Sequence, residues 1–340
     1  MTSQMRREIE EIPEAVSRLV GSEMSARIEV AAAAMRARDP AFMVTVARGS
    51  SDHACTFLKY ASELMLGLPV ASIGPSVASI YDAPRRLSGA VCLSVSQSGA
   101  SPDIVAMTRA AGASGALTLA LTNSEDSALA QVADHVLPVA AGPERSVAAT
   151  KSFLNSCVAG LALLAEVAGD VALKVALAEL PEALARAITC DWSPLAAALS
   201  SESVYVLGRG PSWAMAGEAA LKFKEVAQVH AESYSSAEVL HGPVSLVAPG
   251  FPVLALAAQD AAEAGVAEVA DALTSMGASV FATSELCARA MSLPVARAHH
   301  PLLDPLCLIV SFYVMVEAMA KARGLDPDAP PRLRKVTQTR

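Results

Sequence analysis

Apolar side chains recur every three or four positions over the first 38 residues, at Met5, Ile9, Ile12, Val16 and Leu19. That is the stripe of a helix with one buried face, and Pro13 divides it. Beyond residue 41 the pattern changes. Short runs that are apolar at nearly every position, at 42–47, 69–73, 90–95, 116–121 and 135–139, predict strands buried on both faces. Helical periodicity fills the intervals at 54–66, 79–86 and 104–111, and Gly67 supplies a helix stop. Strands alternating with helices predict a doubly wound parallel sheet. An Ala/Leu-rich helix then opens in 144–151 and runs to 167, and a second helical stretch covers 171–189.

From Ser203 the pattern starts again. Val204-Tyr205-Val206-Leu207-Gly208-Arg209-Gly210-Pro211-Ser212 follows the logic of 43–51, with Gly210 standing 161 residues after Gly49. The apolar run 253–258 leads to Gln259, 162 residues after Gln97, and 293–295 echoes 137–139. Offsets of 161 and 162 at two strand ends, with the third pair 156 residues apart, argue for a duplicated α/β domain. The predicted organisation is a helical segment 1–38, an α/β domain 39–170, a connecting helical region 171–198, a second α/β domain 199–325 and a tail 326–340.

Two stretches carry candidate chemistry. Ser96-Gln97-Ser98-Gly99-Ala100-Ser101-Pro102-Asp103 joins a buried strand to a helix, presenting hydroxyls, backbone N–H groups and a helix dipole to one point. Such turns are mostly plain helix caps, and the same geometry also seats phosphate. It lacks the lysine of the nucleotide loop and the G-x-G-x-x-G spacing of dinucleotide binders. The second copy reads Ala258-Gln259-Asp260-Ala261 at this place, where a carboxylate would repel an anion, so one phosphate per chain is expected.

In the second copy Glu218, Lys222 and Glu225 share one helix face at i, i+4 and i+7. An exposed salt-bridged face would look the same. The following stretch, from Val229 to Pro243, adds His230, Glu232, Glu238 and His241 before a Gly-Pro break, a polar density that suits a proton-transfer site. His230 and His241 lack the i, i+4 spacing of a zinc pair, His299-His300 precedes Pro301 in a predicted loop, and His53 fits a helix cap or a pocket wall. No metal or cofactor is expected.

Composition narrows the classes further. With 34 acidic against 26 basic residues and a net charge of -8, the chain is not expected to bind nucleic acid or an anionic membrane at large. No apolar run looks long enough to span a bilayer, 306–316 included, and the N-terminus lacks a signal-peptide pattern. Six dispersed cysteines without C-x-x-C spacing read as reduced core residues of a cytoplasmic protein.

The chain resembles the sugar isomerase (SIS) domain family, in particular the isomerase part of glucosamine-6-phosphate synthase. The likeness lies in Met5-Arg6-Arg7-Glu8-Ile9 through Pro13, Gly49-Ser50-Ser51, Ser96-Gln97-Ser98-Gly99, 147–153, Leu207-Gly208-Arg209-Gly210, Leu221-Lys222-Phe223-Lys224-Glu225 and, most specifically, His230-Ala231-Glu232 leading to Glu238-Val239-Leu240-His241-Gly242-Pro243. The resemblance implies that Ser96, Gln97, Ser98 and Ser101 hold a sugar phosphate, with Ser50, Ser51 and the backbone around Val147 on the rest of the sugar. It implies Glu225 as the proton carrier between carbons 1 and 2, with Lys222 beside it. His241 is implied as the ring opener, reaching into the neighbouring subunit of a homodimer. Lys335 is implied as the lysine of the tail that closes the pocket.

The departures are as informative. Arg48 replaces a small residue before Gly49, Ala149 replaces a sugar-contacting serine, and the chain starts at the isomerase part, without the synthase's glutaminase domain. The expected activity is therefore catabolic: glucosamine 6-phosphate to fructose 6-phosphate and ammonia, as in SIS-type deaminases. Alternatives are a deglycase acting on fructosamine 6-phosphates, plain isomerisation of a phosphosugar, or a sugar-phosphate sensor without catalysis. The last is disfavoured because residues before 42 are too few and too acidic for a DNA-binding helix pair.

Overall fold

The N-terminal stripe folds into three helices, α1 (Gln4–Glu10), α2 (Ile12–Leu19) and α3 (Ser22–Arg38). Ser3 caps α1 by accepting the Arg6 N–H at 3.1 Å, and Pro13 falls in the first turn of α2, where its missing N–H breaks no helical bond. The computed structural model describes residues 2–199 and 203–335, so Met1, 200–202 and the last part of the tail, 336–340, lie outside the described residues.

The apolar runs of the first copy become β1 (Met43–Val46), β2 (Val70–Ser72), β3 (Val91–Val95), β4 (Leu117–Thr122) and β5 (His135–Pro138), with α4 (Ser50–Leu66), α5 (Ser76–Ser79) and α6 (Pro102–Ala113) in the intervals. These strands pair in parallel in the order β2-β1-β3-β4-β5. Then come α7 (Lys151–Ala168), α8 (Val171–Ile188) and α9 (Ser193–Ala198).

The second copy contributes β6 (Ser203–Gly208), α10 (Pro211–Val226), β7 (His230–Ser235), β8 (Pro252–Ala255), α11 (Glu263–Ser275), β9 (Ser279–Ala282) and β10 (Met291–Ser292), and α12 (Asp304–Ala322) follows. Its parallel order is β10-β9-β8-β6-β7, which counted from its own first strand is again 2-1-3-4-5. The repeat in the sequence is a repeat of topology. By packing, the described residues divide into a unit of 2–13, 145–150, 179–199 and 203–333 and a unit of 14–144, 151–178 and 334–335.

Each sheet has its own core. In one, Val44, Val46, Cys92 and Ala120 pack with Ile104 and Met107 of α6. In the other, Tyr205, Leu207, Val253 and Ala255 pack with Val266, Ala270 and Leu273 of α11. All six cysteines are free thiols, four of them buried, and burial pushes Cys92 up to about 11 and Cys307 to about 12.

Several boundaries differ from the sequence pattern for local reasons. α4 starts at Ser50 rather than 54, because Gly49 (φ 56°) turns the chain straight from strand to helix. The helix expected at 79–86 is a single turn at Ser76–Ser79, followed by Asp82 in a left-handed conformation (φ 41°) and by Pro84. α7 opens at Lys151, so 144–150 is irregular. The strand that echoes β5 is Met291–Ser292, just before 293–295. α7 and α12 are long and apolar enough to span a membrane (mean hydropathy 1.3 and 1.6), against the reading of 306–316 as too short, yet 78% of each is buried inside the fold.

Candidate active site

In a 2-1-3-4-5 sheet the connections leaving the first and third strands run to opposite faces, opening a crevice at the carboxyl ends of those two strands. Two serine-bearing segments enter that crevice. Ser50 and Ser51 form the first turn of α4, both half-buried. After β3 the turn 96–101 leads into α6, with Ser101 as its N-cap residue. Ser96 Oγ accepts the Gly99 N–H at 3.2 Å and Ser98 Oγ accepts the Ala100 N–H at 3.3 Å. The Gln97 carbonyl is tied to the Asn123 N–H at 3.0 Å. Gly99 is required twice over: its φ is 60°, and an added Cβ would lie 2.1 Å from Ser127 Oγ. The turn is thus a folded, hydroxyl-lined element at a sheet crevice.

The same unit holds ion pairs on buried carboxylates. Arg48, at the end of β1, donates from Nε (3.1 Å) and Nη2 (2.8 Å) to Asp103 Oδ2, a fully buried carboxylate in the first turn of α6. Asp52, one residue beyond Ser51, is pushed up by burial, with Arg48 opposing. Lys335 Nζ lies 3.0 Å from Glu144 Oε2, and Glu144 also accepts the Ser152 N–H (3.1 Å) and hydroxyl (2.5 Å) at the start of α7.

The carboxylate row of α10 is not a solvated face. Lys222 is fully buried and its Nζ lies 3.1 Å from Glu218 Oε1 and 2.7 Å from Glu225 Oε2. Glu218 is also fully buried, whereas the Glu225 side chain is 24% exposed. Burial pushes Glu218 up to about 7, the Glu225 charge adds to this, and Lys222 and the Tyr313 hydroxyl at 2.9 Å oppose it. Its Oε2 is buried without a hydrogen-bond partner, a natural place for a proton. Burial works against the Lys222 charge, but the two glutamates outweigh it and its pKa rises. The ammonium is therefore held charged, with Glu225 as the carboxylate that reaches solvent.

His241 lies in a 3-10 turn (Glu238–His241) after β7, exposed, next to Gly242 (φ 145°). Val147 lies in the irregular stretch 144–150, half-buried, with its N–H bonded to the Asp328 carbonyl at 3.0 Å. His53 is half-buried in the first turn of α4, and His299-His300 falls in a bend after 293–298. Among the described residues, no group of three or more histidine, cysteine, aspartate or glutamate side chains is arranged to hold a metal ion.

The matching crevice of the second sheet is filled from within. Asp304, 2% exposed at the start of α12, accepts the Gln259 N–H at 3.0 Å and the Ala298 N–H at 2.9 Å and pairs with Arg297 Nη1 at 3.1 Å. Gln259 is the counterpart of Gln97, so a backbone donor of this turn already has its anion. Asp260, expected to do the repelling, instead accepts the Ala262 N–H at 2.8 Å. Sequence reasoning missed Asp304, Asp103, Glu144 and Tyr313 as partners. Asp103 and Asp304 could have been found as acids in the first turn after a helix-opening proline or leucine; Glu144 and Tyr313 carry no local signal.

The SIS domain model matches residues 39–166 and 199–303, one stretch for each sheet. Glutamine–fructose-6-phosphate aminotransferase (isomerizing) of Symbiobacterium thermophilum is 33% identical over 361 residues, covering 97% of this chain and 58% of that protein. The chain spans between half and three-fifths of the length of such curated relatives. A solved structure from Silicibacter pomeroyi DSS-3, provisionally assigned as a phosphosugar isomerase, is 60% identical with a TM-score of 0.93, covering 96% of this chain and 100% of that one. Glucosamine-6-phosphate deaminase of Thermotoga maritima shares the fold (TM-score 0.79, 19% identity, 99% of this chain and 100% of that one, in that order). With two matched stretches, each holding a parallel sheet of the same strand order, the chain belongs to the SIS domain family.

Proposed function

We propose that the chain converts glucosamine 6-phosphate and water to fructose 6-phosphate and ammonia. The observation that carries the reading is the α10 row: a fully buried lysine fixes one partly exposed carboxylate, Glu225, beside a second carboxyl, Glu218, that burial pushes up to about 7. A fixed carboxylate next to a permanent cation is suited to move a proton between adjacent carbons. The serine turn, with Ser96, Gln97, Ser98 and Ser101, holds the phosphate, and Ser50, Ser51 and the Val147 backbone hold the sugar. His241 opens the pyranose, delivered to the site of a second copy in a homodimer. Glu225 takes the proton from carbon 2 of the open-chain aminoaldose and returns it to carbon 1 while a proton passes from the amine nitrogen to the carbon 1 oxygen, leaving a hydroxyl at carbon 1 and an imine at carbon 2. Water adds to that carbon, the C–N bond breaks, and nitrogen leaves as ammonia. Lys222 balances the charge on Glu225 throughout, and Lys335, released from Glu144, closes over the open-chain sugar.

One observation favours a second reading. Arg48 is oriented by the buried Asp103 at the end of β1, where it suits the carboxylate of an amino acid carried on fructosamine 6-phosphate. The deciding experiment gives purified protein glucosamine 6-phosphate, galactosamine 6-phosphate or a fructosamine 6-phosphate in separate reactions. Ammonia from glucosamine 6-phosphate is the expected result. Free amino acid from the adduct with no ammonia from either hexosamine establishes the deglycase, and silence in all three sinks both.

A further inference from the structure

A separate set of buried polar contacts joins α1, the irregular stretch 144–150 and the segment after α12. Glu8 is completely buried, which a carboxylate tolerates only when its oxygens are occupied. Its Oε1 accepts the Arg145 N–H at 2.5 Å, both oxygens accept the Ser146 N–H at 3.3 Å, and the Ser146 hydroxyl donates to Oε2. Gln4 Nε2 adds a bond to Oε1 at 3.2 Å. Two successive backbone N–H groups converging on one anion form a nest, and here the anion is a side chain of the same protein. The next N–H, that of Val147, goes to the Asp328 carbonyl at 3.0 Å. Three consecutive peptide groups are thus fixed from outside the stretch that contains them.

The helix that carries Glu8 is itself braced. Ser3 Oγ donates to Glu317 Oε1 at 2.6 Å, and Arg6 Nη2 bonds Glu317 Oε2 at 2.7 Å and the Val314 carbonyl at 2.8 Å. The Asp328 carboxylate accepts the N–H groups of Gln4 (2.8 Å) and Met5 (2.7 Å) at the positive end of α1. α1 therefore has no freedom to let Glu8 follow the loop. The loop follows Glu8.

We infer that Glu8 is a positioning residue: its carboxylate sets the backbone of Arg145, Ser146 and Val147 so that Val147 meets the sugar. This rests on the proposed function, which places the sugar against Val147. Glu8 acts through the loop and touches no reacting atom. An irregular stretch without that anchor samples many geometries, and a displacement of about 1 Å in a substrate-contacting group costs on the order of 100-fold in rate.

The test uses the whole chain as wild type, Glu8→Gln, Ser146→Ala and, as a control on the exposed side of α1, Glu10→Gln. Each is titrated calorimetrically with fructose 6-phosphate and with inorganic phosphate, and amide exchange is followed at 145–147. In Glu8→Gln the amide N–H₂ opposes the loop N–H groups, so fructose 6-phosphate should bind about tenfold more weakly, equivalent to one oriented contact. Inorganic phosphate should bind as before, exchange at Arg145 and Ser146 should quicken, and Glu10→Gln should match wild type. Ser146→Ala, which keeps the carboxylate and removes one donor, should show the same selective loss in smaller measure, and stands in if Glu8→Gln does not fold. Equal weakening of both ligands, or of neither, overturns the role of Glu8 while leaving the proposed function in place. A wild type that gains nothing from the sugar over bare phosphate removes the sugar from Val147, and this inference with it.

Discussion

Glu218 and Glu225 are two turns apart on one helix and bond the same lysine, yet they differ in exposure and so in chemistry. Replacing Glu225 by Gln keeps the shape and removes the proposed base: turnover should fall by roughly 10²–10⁴, with fructose 6-phosphate binding retained, as read by ammonia release beside calorimetry. Unchanged turnover would remove Glu225 from the mechanism. Glu218 bears on pH. Burial pushes its carboxyl from the ordinary 4.5 up to about 7, so between these values it keeps in the folded protein a proton that the unfolded chain has lost. Its contribution to stability is therefore complete below about pH 4.5 and is lost as pH rises through about 7. Glu218→Gln cannot ionise and should flatten this part of the pH dependence of Tm between pH 5 and 8. A slope equal to that of wild type would assign the pH dependence elsewhere.

At the scale of elements, the serine turn is a closed piece of geometry. Gly99→Ala would place a methyl group on Ser127 and force a left-handed backbone on alanine, so the fold should lose about 1–3 kcal/mol in urea denaturation. Phosphate affinity should fall with it, since the Gly99 N–H is what ties Ser96 Oγ in place. The strands of the first copy, β6 and β8, the helices α7 and α8 and the α10 row were legible because each is a run of residues whose pattern repeats within one element; β7 and β9 were not, β7 because His230, Glu232, Ser233 and Ser235 break any apolar run. Ser50 as a helix start was not, because what moves the boundary is one φ at Gly49, and periodicity reports no dihedral. The irregular stretch 144–150 read as helix because Ala148 and Ala149 favour one. Its backbone donors are instead taken by Glu8 and by Asp328, residues more than 130 positions away, and no local pattern carries that information. The hydroxyl-rich turn was visible in the sequence as a strand-to-helix junction; the ion pairs Arg48–Asp103 and Lys335–Glu144 were not, since each joins distant parts of the chain.

At the scale of the whole molecule, duplication has produced two sheets of one topology and unequal crevices. Calorimetry should find one inorganic phosphate bound per chain, and two would mean that Asp304 does not block its turn. Asp304→Ala would strand Arg297, whose other acidic neighbour, Glu263, is 4.0 Å away, and should destabilise the fold by about 3–5 kcal/mol in urea. Added phosphate should then raise the Tm of the variant more than that of wild type, because the vacated donors have an anion to take. The built-in carboxylate also makes the two copies age differently. A pocket whose counter-ion is part of the polypeptide has no empty form, so its sheet is as robust in a starved cell as in a fed one. If the serine turn takes a phosphosugar as proposed, the stability of its sheet should rise with the supply of that ligand. When that supply fails, a protease should make its first cuts near the serine turn and α6, and substrate should slow them.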